Sequence, residues 1–326
     1  MGAIQGNRIT KPGEYQLTND IHTLTIKETE GVTLLGDANY IYGLDDQKQP
    51  DINLIKAENV SIKGVGESGL ILNRTRIKAQ AYSKNLEVEN VTFFNSHISS
   101  ISAKTEWHVD KGEYFSDQNP WTFFWDYCRI KNVRSYNPVN ECFYIGSQKY
   151  SLDMPPHYFE RVEIHDCEFH NSGREFGQVA HVYSLSIKNL SCYNSGRNKE
   201  AMQDNGIQVS DCRGLISNVS IDRVEGYGLI LFSYDLKFKD IKINNPKRGA
   251  IFIGQVNKRF PQSALNTGKP LVFQNLELSN CEYAFDVQTD EMPIYIINPI
   301  IHTTVENMFH PNSKRDNVII IDPIYR

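Results

Sequence analysis

A polar residue recurs along this chain at intervals that few folds can accommodate. Short runs rich in Val, Ile, Phe and Tyr contain an Asn or Asp at a fixed place, as in VENVTFFN (88–95) and IKNLSCYN (187–194). The column comprises Asn59, Asn90, Asn132, Asp166, Asn189, Asn218, Asp240, Asn275, Asn298 and Asp322. Its shortest intervals are 22, 23, 23 and 24 residues, and the longer ones contain inserted loops. Self-similarity of this length indicates a repeat architecture.

The repeated segments have the character of strands. They alternate between apolar and polar residues, and no window shows helical periodicity or the regular leucines of a leucine-rich repeat. We therefore predict an all-β parallel solenoid of about ten coils of 22–24 residues, stacked at about 4.8 Å. An Asn or Asp suits a corner because it tolerates left-handed backbone angles and can bond to its equivalent one coil away, turned into the stack. The repeated NSG (171–173 and 194–196) is predicted to form a second corner, where Gly relieves the turn.

The column of Asn and Asp residues makes the chain similar to a known group of proteins. From GEYQL (13–17) to IIDPIY (320–325) it resembles the right-handed parallel β-helix of the pectate-lyase-like superfamily. The runs ECFYIGS (141–147) and GREFGQVA (173–180) are also similar to bacterial β-helix repeat proteins. The resemblance implies a single domain over 1–326. It does not identify a reaction, because this scaffold hosts lyases, hydrolases, epimerases and viral tailspikes.

Bulk properties exclude several classes of function. The net charge of −5 and the pI near 6.0 argue against a nucleic-acid partner, which would require a basic stripe. No apolar run approaches the ~20 residues that span a bilayer. The six cysteines are scattered without a CxxC pair, so we expect buried free thiols and no zinc site. We expect a secreted or periplasmic location, although MGAIQGN (1–7) lacks the regions of a signal peptide.

Three insertions indicate where a ligand would bind. They span about 103–126, 148–157 and 255–269, and each follows the same predicted strand of its coil. Loops that leave one corner of stacked coils should form the walls of a groove. The first insertion contains every tryptophan, namely Trp107, Trp121 and Trp125. These rings either form a platform for sugar rings or pack into a small hydrophobic core of the loop.

The strand beneath these loops supplies the candidate site. ECFYI (141–145) aligns with EFGQV (175–179), NGIQV (205–209), YGLIL (227–231) and GAIFI (249–253). Alternation points Phe143 and its equivalents inward. The outward residues are Tyr144, Gln178, Gln208, Ile230 and Phe252.

Charged residues cluster at the start of this strand. Glu141 and Glu175 must lie at the bend, because unpaired carboxylates could not face the core. Arg174 and Asp204 stand beside them. Two carboxylates about 5 Å apart repel each other. Either the pKa of one of them is raised, or the pair binds a cation, or a guanidinium lies between them. The alternative is a structural network in which Arg174 ties the two acids together.

Two chemistries fit these residue types. A lyase on a uronate polymer must neutralise the substrate carboxylate, remove the C5 proton and protonate the leaving oxygen. The resemblance allows Ca²⁺ at Glu141 and Glu175, and the base or acid candidates are Arg174, Lys149, Tyr144 and His181. A hydrolase needs two carboxyls of different pKa, for which Glu175 and Asp204 are the best pair. The NTD, DD and GHG motifs of polygalacturonases are absent, however.

Lyase activity on an acidic polysaccharide is our first expectation, with a hydrolase or epimerase second. Candidate substrate-binding residues are Trp107, Trp121, Trp125, Gln178, Gln208, Lys149 and His181. Lys258 and Arg259 in the third insertion could meet an acidic polymer, although we favour a solvated charge pair. The rival hypothesis from another class is a non-catalytic carbohydrate-binding or tailspike-like module. Either a monomer or a homotrimer is compatible with the sequence.

Overall fold

The computed structural model shows a chain built almost entirely of β-strands. It describes residues 4, 7–17, 23–38, 41–42, 51–80, 83–104, 125–146, 158–200, 203–261, 263–265 and 267–326. Within these ranges there are 24 strands in one hydrogen-bonded network, and the single helix is α1 (Val256–Arg259). No helix in the described ranges has the length and apolar character needed to cross a membrane. The predicted all-β class is confirmed.

The strands follow one another along the chain with little other structure between them. The first eleven are β1 (Arg8–Ile9), β2 (Gly13–Gln16), β3 (Leu24–Gly36), β4 (Ile41–Tyr42), β5 (Asp51–Gly64), β6 (Leu70–Asn73), β7 (Arg76–Gln80), β8 (Lys84–Phe94), β9 (Ile101–Lys104), β10 (Trp125–Tyr136) and β11 (Phe143–Gly146). The next seven are β12 (Phe159–His170), β13 (Gly177–Ser195), β14 (Ile207–Val224), β15 (Tyr227–Phe232), β16 (Leu236–Pro246), β17 (Gly249–Ile253) and β18 (Leu271–Ser279). The last six are β19 (Cys281–Val287), β20 (Ile294–Ile297), β21 (Ile300–Ile301), β22 (Val305–Phe309), β23 (Val318–Ile321) and β24 (Ile324–Tyr325).

Strands of successive repeats pair in parallel, so that equivalent residues form columns. The column that runs through β8, β10, β12 and their successors is apolar throughout. It consists of Val88, Ile130, Ile164, Ile187, Ile216, Phe238, Phe273, Ile296 and Ile320. All of these side chains are buried except Ile320, which lies in the last repeat and is partly covered. The six cysteines are buried free thiols, as predicted. This arrangement is compatible with a solenoid.

The predicted polar column forms a corner in the backbone. All ten of its residues have left-handed backbone angles, with φ between 48° and 57°. Their amides bond from one repeat to the next, as in Asn132 Nδ2 to Asn90 Oδ1 (3.0 Å) and Asn218 Nδ2 to Asn189 Oδ1 (2.8 Å). The column residues are exposed or half-buried. The ladder therefore lies at the surface, and the expectation that it turns into the stack is corrected.

The repeated NSG does form a second corner, in which Asn turns the backbone in both copies and Gly does so only in the second copy, where Gly196 has φ 79°. Asn171 and Asn194 adopt the left-handed angles (φ 54° and 65°), and Asn194 Nδ2 donates to Asn171 Oδ1 at 2.9 Å. Gly173 is not left-handed. A Cβ at Gly173 would lie 1.7 Å from the carbonyl oxygen of Val139, so glycine is required there by close approach of the backbone and not by its φ.

The strands that precede the three insertions belong to one stack. Ile101 of β9 pairs with Phe143 of β11, and the column continues through Gly177, Ile207, Leu229, Ile251 and Phe285. The sequence alignment of these strands is thus confirmed residue for residue. Most of the first and second insertions, 105–124 and 147–157, lies outside the described residues. The third loop (255–269) is described except for 262 and 266, and it contains α1.

Candidate functional site

The bend before this stack brings the predicted acids into register. Backbone bonds run from Cys142 N to Phe176 O (2.9 Å) and from Phe176 N to Gly206 O (2.8 Å). Glu141, Glu175 and Asn205, which precede those residues, therefore occupy the same position in three adjacent repeats, about 4.8 Å apart.

Arg174 contacts one of the two predicted acids and a third one that the sequence did not suggest. Its guanidinium lies 2.8 Å from Glu200 and 3.6 Å from Glu141. Burial opposes the charge, but the hydrogen bond with Glu200 and the charge of Glu141 outweigh it and raise the pKa of Arg174. The raised pKa keeps Arg174 protonated, which suits a structural or electrostatic role.

Glu175 is a buried carboxyl that remains protonated at neutral pH. Its side chain is 1% exposed. Burial, reinforced by the negative charge of Glu141, raises the pKa of Glu175 to about 8. Gln178 Nε2 donates to Glu175 Oε1, whereas Oε2 is buried without a hydrogen-bond partner among the described residues. The site therefore contains a neutral carboxylic acid next to an anionic neighbour, as like charges at this spacing require.

The two glutamates predicted to hold calcium have partners within the protein. Ser99 Oγ donates to Glu141 Oε2 (2.5 Å), Glu141 Oε1 faces Arg174, and Gln178 Nε2 donates to Glu175 Oε1. Calcium requires six to eight oxygen ligands, so calcium binding at these two residues stays a prediction. Within the described ranges, no three His, Cys, Asp or Glu side chains converge as metal ligands.

Next to this cluster, the outward side chains of the stack line a groove. Gln178, Gln208, Ile230 and Phe252 occupy successive repeats in one column, which spans roughly 14 Å. The groove has a volume of about 410 Å³. Its lining consists of Gln178, Gln203, Gln208, Tyr227, Ile230, Phe232, Arg248, Phe252 and Arg259. Amides, aromatic rings and two arginines thus share one concave surface.

The two groove arginines differ in their charge environment. Arg248 Nη2 lies 3.0 Å from Oδ2 of buried Asp204, so its charge is compensated. Arg259, from the third loop, stacks on the ring of Phe232 with its guanidinium carbon 4.3 Å from the ring centroid. In the described part of the chain no acid lies within ion-pair distance of Arg259. Its cation is therefore available to an anionic ligand.

Two groove residues, Tyr227 and Arg248, contact buried acids that do not themselves line the groove. Tyr227 Oη donates to Asp286 Oδ2 at 2.7 Å. Burial and this hydrogen bond raise the pKa of Tyr227, so the phenol stays protonated. Asp204 Oδ1 is buried without a hydrogen-bond partner in the described ranges. It lies against Gly226, where a Cβ would approach to 2.9 Å of it.

Several predicted site residues lie elsewhere. Trp125 is 1% exposed and packs against Phe159, with ring centroids 5.0 Å apart, so it belongs to the core and cannot be a sugar platform. His181 is fully buried and bonds Asp211 Oδ2 at 2.8 Å, out of reach of a polymer. Tyr144 is 7% exposed beneath Lys104, whose Nζ lies 4.3 Å from the ring centroid. Trp107, Trp121 and Lys149 fall outside the described residues.

Sequence reasoning did not single out several residues that line the groove, among them Gln203, Tyr227, Phe232 and Arg248. Tyr227 and Arg248 stand at the register positions of Glu175 and Arg174, two and three repeats further on. The strand alignment already contained Tyr227 and resumed one residue after Arg248, so the same register could have identified both. Arg259 was interpreted as a solvated loop charge, because no pattern in the sequence shows that the third loop packs its arginine on Phe232.

Comparison with known proteins adds no relatives to this description. No protein-family model matches the chain, and no curated protein matches it by sequence.

Proposed function

We propose that this chain is a right-handed parallel β-helix of the pectate-lyase-like type and that it cleaves an acidic polysaccharide bound in the groove. The fold part of the proposal is supported by repeats of 22–24 residues, parallel pairing of every repeat with the next, and an Asn or Asp ladder with left-handed backbone angles. An elongated groove that runs across successive repeats suits an elongated polymer.

The observation that carries the functional part is the environment of Arg259. A guanidinium held on an aromatic ring, without an acid in ion-pair distance among the described residues, is poised for a carboxylate. Around it, Gln178 and Gln208 offer amides for hydroxyl groups. Phe252 and Phe232 offer ring surface for the apolar faces of sugars. This combination matches a uronate polymer better than a neutral glycan.

The proposed reaction is β-elimination. Arg259 neutralises the uronate carboxylate, which makes the C5 proton removable. Asp204 is paired with Arg248 and does not line the groove, so its buried Oδ1 can accept that proton only when Arg248 moves aside on substrate binding. Tyr227, which is held protonated, donates to the leaving glycosidic oxygen. The C4–O bond breaks and a C4–C5 double bond forms.

A second candidate reaction is hydrolysis, which the state of Glu175 favours. Glu175 is kept protonated by its raised pKa, whereas Asp204 is paired with Arg248, so the two carboxyls stand in different environments. This is the acid and base pattern of a glycosidase. Because Glu175 is covered by Gln178, hydrolysis requires that Gln178 move aside when substrate binds.

Incubation with polygalacturonate, alginate and glycosaminoglycans tests these alternatives. Ultraviolet absorbance of unsaturated uronate reports elimination, and new reducing ends without that absorbance report hydrolysis. Asp204→Asn should abolish either reaction. Tyr227→Phe should lower elimination at least a hundredfold, whereas Glu175→Gln should abolish hydrolysis alone.

A matched pair of arginine variants tests the binding step. Arg259→Ala should weaken affinity for the anionic polymer about tenfold, because one charge-assisted contact is lost. Arg315→Ala is the control, since Arg315 also stacks on a phenylalanine, Phe309 (5.1 Å), but does not line the groove. Equal affinity of wild type and Arg259→Ala for every acidic polymer would refute the proposal. Retention of polymer without cleavage would identify a binding module.

A further inference from the structure

The third loop brings Arg259 to the groove, and the structure fixes this loop at both ends. At its beginning, Glu291 Oε2 accepts hydrogen bonds from the backbone N–H of Val256 (2.8 Å) and of Asn257 (3.2 Å). The same oxygen accepts from Tyr234 Oη at 3.0 Å. One carboxylate thus ties the start of α1 to the strand stack.

The far end of the loop is attached to a buried polar cluster. Ser263 Oγ donates to Asp211 Oδ1, and the backbone N–H of Ala264 donates to Tyr158 Oη at 2.9 Å. Tyr158 Oη donates in turn to Asp211 Oδ2 at 2.9 Å, and His181 Nδ1 bonds the same oxygen at 2.8 Å. We call Tyr158, His181, Asp211 and Ser263 the latch.

The latch stabilises the third loop in the position that the structure shows. Asp211 is 1% exposed, and a buried carboxylate is costly unless all its oxygens are hydrogen-bonded. Ser263 supplies the contact to Oδ1. Phe260, which directly follows Arg259, packs edge-to-face on His181 with centroids 5.0 Å apart. If the loop lifts, both contacts are lost together.

We propose that Ser263 and Asp211 are positioning residues that hold Arg259 in the groove and thereby set the preference for anionic over neutral polymer. This role rests on the proposed function of Arg259. It is distinct from catalysis, since Tyr158, His181 and Asp211 are buried, Ser263 is half-buried, and none of the four lines the groove.

The binding test compares wild type with four variants: Ser263→Ala, Ser263→Thr, Arg259→Ala and the double variant Ser263→Ala/Arg259→Ala. The ligands are polygalacturonate and its carboxyl-reduced, neutral form, and calorimetry measures the affinity for each.

Ser263→Ala should weaken affinity for the anionic polymer roughly fivefold, the equivalent of one lost hydrogen bond. Affinity for the neutral polymer should not change. Ser263→Thr keeps the hydroxyl and should restore wild-type affinity. The double variant should bind no worse than Arg259→Ala, because both changes act through the same guanidinium.

Digestion with trypsin tests the latch without any ligand. Lys258 and Arg259 are the cleavage sites in α1, so a released loop should be cut there several times faster in Ser263→Ala than in wild type or Ser263→Thr. Unchanged cleavage, or fully additive losses in the double variant, would overturn the latch. If wild type binds no acidic polymer, the proposed function fails, and the cleavage rates still decide whether the latch exists.

Discussion

Glu175 should make the folded protein less stable as the pH rises, whereas an ordinary salt-bridged acid makes a protein less stable as the pH falls. Its pKa rises from the ordinary 4.5 to about 8 in the folded protein. The folded state therefore prefers the protonated form. The stabilisation is complete below pH 4.5 and is lost as the pH rises through 8. Each unit of pKa shift corresponds to about 1.4 kcal/mol, so the full loss approaches roughly 5 kcal/mol.

Glu175→Gln removes this titration while it keeps the size of the side chain. Relative to wild type, the variant should gain about 3 kcal/mol of unfolding free energy between roughly pH 5.5 and pH 8.5. The gain follows because ionisation of Glu175 stabilises the unfolded wild-type chain above pH 4.5, whereas the folded protein keeps that carboxyl protonated up to about pH 8. Glutamine ionises in neither state. Urea unfolding followed by far-ultraviolet circular dichroism at several pH values measures the difference.

The control is Glu168→Gln, at a surface carboxyl that is 48% exposed and 3.6 Å from Arg134. Its unfolding free energy should follow that of wild type across the whole range, because that side chain already contacts water. If the curves of Glu175→Gln and wild type also remained parallel from pH 5.5 to 8.5, the folded protein would not be holding a neutral acid at this position. The description of the site would then have to change.

Two further predictions concern the fold. Asn189→Ala should cost roughly 1–2 kcal/mol of unfolding free energy, because alanine is strained at φ 54° and cannot bond Asp166. Asn189→Gly should cost less, and the reverse order in denaturant melts would contradict the corner assignment. Trp125→Ala should destabilise by about 3–5 kcal/mol through the cavity left beside Phe159. A near-neutral result would mean that Trp125 lies outside the core.

Local patterns in the sequence were sufficient for the architecture of the repeats. An Asn or Asp at each corner, β-branched runs and two-residue alternation depend only on the chain itself. The register of Phe143, Gly177, Ile207 and Leu229 followed from them, and the pairing confirms it. The corner chemistry at NSG was harder to assign, because both Asn and Gly can turn the backbone. Only the close approach of Val139 to Gly173 separates their roles.

The site was less predictable, because its chemistry depends on contacts between distant segments. Glu141, Arg174 and Glu175 could be placed at one bend from their spacing. The acid that pairs with the arginine could not be predicted in this way, because the structure places Glu200, which follows β13, against Arg174. The three tryptophans of the first insertion were predicted to form either a sugar platform or a small core, and Trp125 starts a strand and turns inward.

The sequence by itself determined a stack of parallel strands, its corners and the side chains that face outward, because each of these follows from the local preferences of a repeated unit. Tertiary structure alone decided the charge states and the groove. The neutral form of Glu175 depends on burial beside Glu141, and Arg259 reaches the groove on a loop whose Ser263 hydroxyl donates to Asp211. Burial and the distances between charges are properties of the folded molecule, which no stretch of the chain specifies alone.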